Sequence, residues 1–249
     1  GARLKRYDPK ATVFYTSGRA SLETSYAWGL FARLYGHNNL PDSSNMCHET
    51  TSVALRATIG SPVGTCVLDD FEHCDAIFFF GQNTGTNSPR FIHTLAKAAK
   101  RGCRIVTFNP IREKGLIAFR NPQSLDMITG GETKISSHYY QVKAGGDIAV
   151  ILGMCKHVIE RGAIDRDFIA EHTHGFESFA AKAAAAGWDE IERECGLTRE
   201  ALIEAAEVYA GAERAIGIWG MGLTQHVRGY ENVASVVNLM LLKGNIGRE

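Results

Sequence analysis

The most regular pattern along the chain is a short apolar run that stops at a polar loop bearing Gly or Asn. It occurs four times, in residues 12–15, 76–80, 104–108 and 215–219. β-Branched and aromatic residues are frequent in these runs, and their length suits a strand that is buried on both faces. We therefore predict four strands, each of which ends at a polar loop.

Helical patterns alternate with these strands. We predict helices over residues 21–35, 51–58, 147–161, 165–172, 198–211 and 230–243, and another that ends near residue 101. Asp69, with Glu72 three residues later, predicts a capped short helix ahead of the second strand. Alternation of this kind predicts parallel βαβ units and therefore an α/β fold: a doubly wound, mostly parallel sheet with helices on both faces, in a Rossmann-like, three-layer arrangement. Residues 119–137 lack periodicity and are predicted to form a surface excursion.

Composition narrows the class of protein and its partners. The 249 residues contain 27 Lys plus Arg and 27 Asp plus Glu, so no net field attracts nucleic acid or anionic lipid. No apolar run approaches the roughly 18 residues that span a bilayer. From the balanced charge and the short apolar runs together, we expect neither nucleic acid nor membrane as a partner. The six cysteines form no C-x-x-C pair, which argues against a zinc or iron–sulfur site within the chain and suits a reducing, cytoplasmic compartment.

The termini indicate a piece of a longer polypeptide, because the chain begins without Met and ends abruptly at Glu249. We expect a lead-in strand–helix unit over residues 1–45 and an α/β ligand-binding region over residues 46–249.

Cys47 and His48 are the first candidates for chemistry, because they place a thiol beside an imidazole just ahead of a predicted helix. A thiolate is a strong nucleophile and a soft metal ligand, and a neighbouring His can move protons or lower the pKa of the thiol. A Cys beside a His is also often an ordinary buried thiol. Both interpretations stay open on these two residues alone.

The loops at the strand ends form the second candidate site, because ligands of parallel sheets bind outside the carboxyl ends of the strands. Gly lets the backbone approach a phosphate, Asn, Thr and Gln can recognise the edge of a base or pterin, and Arg19 and Arg112 can each clamp a phosphate. Asp147, after Gly145, would cap a helix or meet a donor-bearing ring. Any one loop could merely satisfy turn geometry, but together they indicate a nucleotide-type ligand.

Other motifs are weaker or absent. No G-x-G-x-x-G follows the first strand and no P-loop motif occurs, which disfavours an ordinary NAD site and a P-loop ATPase. His172 and His174, with Glu171, are a minor metal-site candidate. Residues 138–140 are predicted to be a strand in which His and Tyr serve packing.

The motifs and their order along the chain resemble those of one known family, the large subunits of molybdopterin oxidoreductases. Within it, they resemble the formate-dehydrogenase-like alpha-subunit branch. The resemblance covers essentially the whole chain. Its motifs are Ser17-Gly18-Arg19, Asn45-Met46-Cys47-His48, Phe80-Gly81-Gln82-Asn83, Thr86-Asn87-Ser88-Pro89, Asn109-Pro110-Ile111-Arg112, Trp219-Gly220-Met221-Gly222-Leu223-Thr224-Gln225 and Leu242-Lys243-Gly244-Asn245-Ile246-Gly247.

The resemblance implies a molybdenum or tungsten ion carried by two molybdopterin guanine dinucleotides and a two-electron reaction on a small-molecule substrate. Cys47 matches the metal ligand, and His48 matches the residue that takes or relays the proton. The residues that match the family's dinucleotide contacts are Ser17, Arg19, Gly81, Asn83, Thr86, Asn87, Asn109, Arg112, Gly145, Asp147, Gly220, Met221, Gly222 and Gln225.

The resemblance also implies components outside this chain and leaves the substrate open. A 4Fe-4S cluster in the parent and an electron-transfer partner subunit are both expected elsewhere. Formate dehydrogenases usually continue Cys-His with Gly-Pro, whereas this chain has Glu49-Thr50, which changes the charge beside the metal. The alternatives are a non-catalytic, guanine-nucleotide-binding Rossmann-like module and a scaffold in which Cys47 is a buried thiol.

Overall fold

The computed structural model describes residues 1–17, 20–41, 47–122 and 130–247. It divides into two compact units, Gly1–Glu49 and Thr50–Glu249. The predicted boundary between residues 45 and 46 lies four positions before this division.

The first unit is built around helix α1, Leu22–Tyr35. The Ser21 hydroxyl accepts a hydrogen bond from the backbone N–H of Thr24 at 3.2 Å and so caps the helix. The helix ends at Gly36, whose φ of 111° is a backbone conformation that favours glycine. Two short 3-10 helices, Leu4–Arg6 and Pro9–Ala11, precede it.

The strand predicted over residues 12–15 is wrong, because this stretch joins no sheet within the described part of the chain. Its apolar character serves a local aromatic cluster instead. The buried Phe14 ring makes edge contacts with the rings of Trp28, Phe31 and Tyr35, at centroid distances of 5.8, 5.7 and 5.5 Å. Burial against α1 therefore accounts for Phe14, whereas Val13 and Tyr15 are exposed.

The second unit contains a four-stranded, all-parallel sheet in the order β5-β2-β1-β6. Its strands, numbered along the chain with the hairpin below, are β1 Ala76–Phe80, β2 Arg104–Phe108, β5 His138–Tyr140 and β6 Ala215–Trp219. Three match the predicted bounds, and the fourth is the short strand predicted at residues 138–140. The strands of an antiparallel pair, β3 Ala118–Phe119 and β4 Thr133–Lys134, lie near the two ends of the predicted excursion.

Helices surround this sheet and separate its strands along the chain. They are α2 Glu49–Ile59, α3 Thr84–Asn87, α4 Phe91–Lys100, α5 Lys114–Ile117, α6 Asp147–Glu160, α7 Arg166–His172, α8 Phe176–Ala185, α9 Trp188–Cys195, α10 Arg199–Gly211, α11 Met221–Thr224 and α12 Gly229–Leu241. The residues predicted as a capped helix before β1 form a 3-10 helix, Leu68–Glu72. No helix within the described ranges has the length and apolarity needed to cross a membrane.

The sheet is buried on both faces, as continuous apolar strands require. Side chains alternate along a strand, so Phe78 and Phe80 pack on one face in a cluster with residues of α6, α10 and α12. Ile77 and Phe79 pack on the other face in a cluster with residues of α4. The predicted α/β fold, with helices on both faces of a parallel sheet, is confirmed.

Candidate ligand site at the carboxyl edge of the sheet

The four strands end in one row, which brings their following loops to the same edge. Phe80 is in register with Phe108 on one side and with Trp219 on the other, and Phe108 is in register with Tyr140. The ring of Phe108 stacks on those of Phe80 and Tyr140 with centroids 5.3 Å apart in both pairs. This aromatic row marks the carboxyl end of the sheet, and the loops of the candidate site begin directly after it.

The loops after β1 and β6 meet where the strand order reverses. The chain runs from β1 outward through β2 to β5 and then returns to the other side of β1 as β6. Such a reversal opens a crevice at the carboxyl ends of the two strands, which is the usual ligand position in open α/β sheets. The two loops are Gly81 to Asn83 and Gly220 to Gln225.

Glycine is required in these loops because their backbones touch. The N–H of Gly220 donates to the Phe80 carbonyl at 3.1 Å, and that of Gly222 donates to the Gly81 carbonyl at 3.3 Å. Gly81 has a φ of 57°. A Cβ on Gly222 would lie 2.8 Å from the Gly81 carbonyl oxygen, and one on Gly220 would lie 2.7 Å from Gln82 Oε1. These predicted site glycines thus bring the two loops together.

We expect Gly222→Ala to destabilise the protein by about 2 kcal/mol, because the new methyl group overlaps backbone atoms that cannot move independently. The thermal midpoint of the full-length protein measures the effect. Gly211→Ala is the matched control, since a Cβ there meets nothing within 4 Å and alanine favours the end of α10. Equal midpoints for the two variants would contradict the close approach.

The amide side chains after β1 and β2 are fixed by local hydrogen bonds. Asn83 Oδ1 accepts from the N–H of Thr86 at 3.1 Å, and Asn87 Nδ2 donates to the Asn83 carbonyl at 3.2 Å. Asn109, which is nearly buried, donates through Nδ2 to the Gln82 carbonyl at 3.2 Å. Local hydrogen bonds therefore fix Asn83, Asn87 and Asn109, which are all predicted to contact the dinucleotide.

Arg112 lies exposed beyond β2, with its guanidinium carbon 5.4 Å from the centre of the Tyr139 ring. Tyr139 donates its hydroxyl to the Ile111 carbonyl at 2.7 Å and accepts from the Glu113 N–H at 2.9 Å. The tyrosine thus supports the loop that carries Arg112, and a cation over an aromatic face keeps its outward N–H groups available to an anion.

Asp147 is a buried carboxylate at the first residue of α6, only 6% exposed. Burial raises its pKa to about 6, while its own backbone N–H and the nearby His226 act in the opposite direction. Gly145, with a φ of 84°, passes so close to His226 that a Cβ would lie 2.9 Å from the imidazole Nε2. The loop before α6 therefore reaches the segment that follows β6.

Two buried hydroxyls at the ends of the β1 and β6 loops have no hydrogen-bond partner among the described residues. They are Thr84 Oγ1, which follows Asn83, and Thr224 Oγ1, which precedes Gln225. An unsatisfied buried polar group costs free energy, so such groups at a candidate site favour a polar ligand.

Helix α2 is anchored to the loop after β6. The Trp219 indole N–H donates to Thr51 Oγ1 at 3.0 Å, and Thr50 Oγ1 donates to the Thr224 carbonyl at 3.5 Å. Cys47 and His48 belong to the first unit and immediately precede this helix in the sequence; the thiol is half-buried and the imidazole exposed.

The other predicted site residues are less informative. Ser17 and Met221 are exposed, as is Gln225 at the end of α11, and Arg19 lies outside the described residues. No group of three His, Cys, Asp or Glu side chains in the described ranges is arranged to hold a metal. The minor candidate at Glu171, His172 and His174 is therefore wrong.

Sequence reasoning missed Gln82, Thr84, Thr224 and His226. Gln82 and Thr224 stand inside the motifs given above and Thr84 directly follows one, so their position after a strand end was an available signal. His226 has no such signal, because its contact with Gly145 joins residues far apart in the chain.

The fold and the strand-end loops define an α/β protein with a candidate ligand site at a topological switch point. Residues 2–249 match the family model described as molybdopterin oxidoreductase. The chain therefore belongs to the molybdopterin oxidoreductase family.

Two relatives of the chain have names. The chain is 46% identical over its whole length to Protein YdeP of Escherichia coli strain K12, covering 34% of that protein. It is 31% identical to the F420-dependent formate dehydrogenase subunit alpha of Methanocaldococcus jannaschii, over 95% of this chain and 33% of the relative. The chain thus spans about a third of the length of these relatives.

A solved structure shares the fold. Acetylene hydratase from Pelobacter acetylenicus superposes with a TM-score of 0.72 and 20% identity, over 99% of this chain and 31% of that structure. At this identity, the likeness concerns the fold.

Proposed function

We propose that the full-length protein carries out two-electron oxidation or reduction of a small substrate, similar to formate in size but neutral or protonated, at a molybdenum or tungsten ion held by two molybdopterin guanine dinucleotides. The observation that carries the proposal is the meeting of the β1 and β6 loops at the switch point, with two buried hydroxyls, Thr84 and Thr224, that have no hydrogen-bond partner in the described part of the chain. The bound metal would supply the electron-transfer chemistry, and the chain would supply binding, orientation and proton handling.

The residues at the strand ends fit a dinucleotide of this kind. Asp147 is a buried acceptor, and a carboxylate matches the N–H donors of a guanine ring. Arg112 is exposed, with its guanidinium free to pair with a phosphate on the side away from Tyr139. The hydroxyls of Thr84 and Thr224 would complete their hydrogen bonding with polar groups of the ligand.

Cys47 would bind the metal through its thiolate, a soft ligand suited to a metal already held by sulfur. His48 would hold or move the proton that accompanies the two-electron step. Glu49 brings a carboxylate next to this pair in the sequence, and its charge would favour a neutral or protonated substrate over an anion such as formate.

The direct test is the metal and pterin content of the full-length protein, produced with molybdate or tungstate in the medium. We expect molybdenum or tungsten by elemental analysis, and guanine nucleotide after acid release of the cofactor. Formate and small neutral analogues are then compared in a dye-reduction assay.

Guanine nucleotide without metal or pterin would instead support a non-catalytic nucleotide-binding module. Absence of all three would contradict both functions. Reduction of the dye by formate alone would contradict the substrate preference inferred from Glu49.

A further inference from the structure

Two buried thiols lie together at the amino end of the sheet, opposite the candidate ligand site. Cys74 stands two residues before β1, and Cys103 stands directly before β2. Their sulfur atoms are 3.8 Å apart, and both side chains are almost fully buried. The proposed function uses neither of them.

The strand pairing sets the backbones at a distance that suits a disulfide. Ala76 is in register with Arg104, so Cys74 and Cys103 precede neighbouring parallel strands and stand diagonally across from each other. Neighbouring strands are about 4.8 Å apart, and disulfides join Cα atoms that are about 4.4 to 6.8 Å apart. Bond formation then requires a small rotation of the side chains rather than movement of the sheet.

Arg101 holds the two segments together. Its Nη2 donates to the carbonyls of Phe71 at 3.1 Å and Cys74 at 2.9 Å. A hydrogen bond with the Cys103 thiol and the positive charge of Arg101 lower the pKa of Cys74, although burial opposes them. The same hydrogen bond and burial raise the pKa of Cys103. Cys74 is therefore the thiol that ionises first.

A cavity borders Cys74. Its volume is about 200 Å³, and its lining includes Cys66, His73, Cys74 and Arg214. This is several times the roughly 30 Å³ that a water molecule occupies in the liquid, so a small peroxide fits.

We propose that Cys74 and Cys103 form a reversible disulfide when a small peroxide enters this cavity. The Cys74 thiolate attacks one peroxide oxygen, the O–O bond breaks, and a sulfenic acid and one water are produced after protonation. The Cys103 sulfur then attacks the Cys74 sulfur, the S–O bond breaks, and a second water leaves with the Cys103 proton. The two thiols lose two electrons, and hydrogen peroxide is reduced to two waters.

Peptide mapping of the full-length protein tests this pairing after treatment with hydrogen peroxide and alkylation of the remaining thiols. Cys66 and Cys74 share the tryptic peptide of residues 57–90, whereas Cys103 lies on the tripeptide of residues 102–104. A Cys66→Ser variant therefore makes the assignment unique, because any link between these two peptides must join Cys74 to Cys103.

We expect the linked peptides in the wild type, in Cys66→Ser and in Cys155→Ser, where a thiol buried in α6 is removed as a control for folding. Dithiothreitol should release the link, and Cys74→Ser or Cys103→Ser should abolish it. Complete alkylation of Cys74 and Cys103 in peroxide-treated Cys66→Ser would overturn the proposal. A Cys66–Cys74 bond as the main product in the wild type would also overturn it.

Discussion

Replacing Cys47 with Ser in the full-length protein is expected to lower turnover by more than about 100-fold. Changing a group that merely supports a metal ligand costs about 10- to 100-fold in affinity or activity, and loss of the ligand itself should cost more. A Ser hydroxyl is a harder ligand than a thiolate and would be a poor substitute on the proposed metal, which pterin sulfurs would also hold.

The measurement should not rest on activity alone, because Cys47 could also affect folding of the turn before α2. X-ray absorption at the metal edge counts the sulfur neighbours of the metal, and the variant should show one fewer than the wild type. Cys66→Ser, which removes an exposed thiol, is the control and should keep both turnover and the sulfur count. An unchanged sulfur count in the Cys47 variant would remove the ligand assignment.

Replacing Asp147 with Asn is expected to remove a pH-dependent contribution of up to about 3 kcal/mol from the free energy of unfolding. The pKa of Asp147 is raised from 3.8 to about 6, mainly by burial, and each unit of difference corresponds to about 1.4 kcal/mol. A folded-state pKa above the unfolded value means that the protonated form stabilises the fold. This contribution is fully present below the unfolded pKa and is lost as the pH rises through about 6.

The thermal midpoints of the cofactor-free wild type and the Asn variant should therefore diverge between about pH 4 and pH 7, with the variant gaining relative stability at the higher pH. His226 reduces the effect when it is protonated. Glu231→Gln serves as the control, because its carboxylate lies exposed in the first turn of α12. If the thermal midpoints of the wild type and Asp147→Asn change with pH in parallel, burial does not raise the pKa of this carboxylate.

Loading the cofactor extends the same experiment. If Asp147 accepts hydrogen bonds from a guanine ring, the ligand favours the charged carboxylate and lowers its pKa. The pH-dependent difference between the thermal midpoints of the wild type and Asp147→Asn should then be smaller when the cofactor is bound. A divergence of the same size with and without cofactor would contradict a contact between Asp147 and the guanine ring.

The sheet could be predicted from the sequence because its signals are local. The runs at residues 76–80, 104–108 and 215–219 carry apolar side chains on both faces, and each stops at a polar loop, so their bounds follow from composition. The stretch 12–15 carries the same signal, yet it joins no sheet in the described residues, and its Phe14 packs in an aromatic cluster against α1. Local pattern alone does not distinguish burial in a sheet from burial against a helix.

The sequence by itself determined the α/β class, the polar loops at the strand ends and the motifs shared with the molybdopterin oxidoreductase family, because these depend on residue type and spacing along the chain. Only the tertiary structure decided which loops meet: the strand order places β6 beside β1, so Gly81 touches Gly222 and Gly145 touches His226. It also decided the burial of Asp147 and the pairing of Cys74 with Cys103. These contacts join residues far apart in the chain, and strand order rather than local propensity sets them.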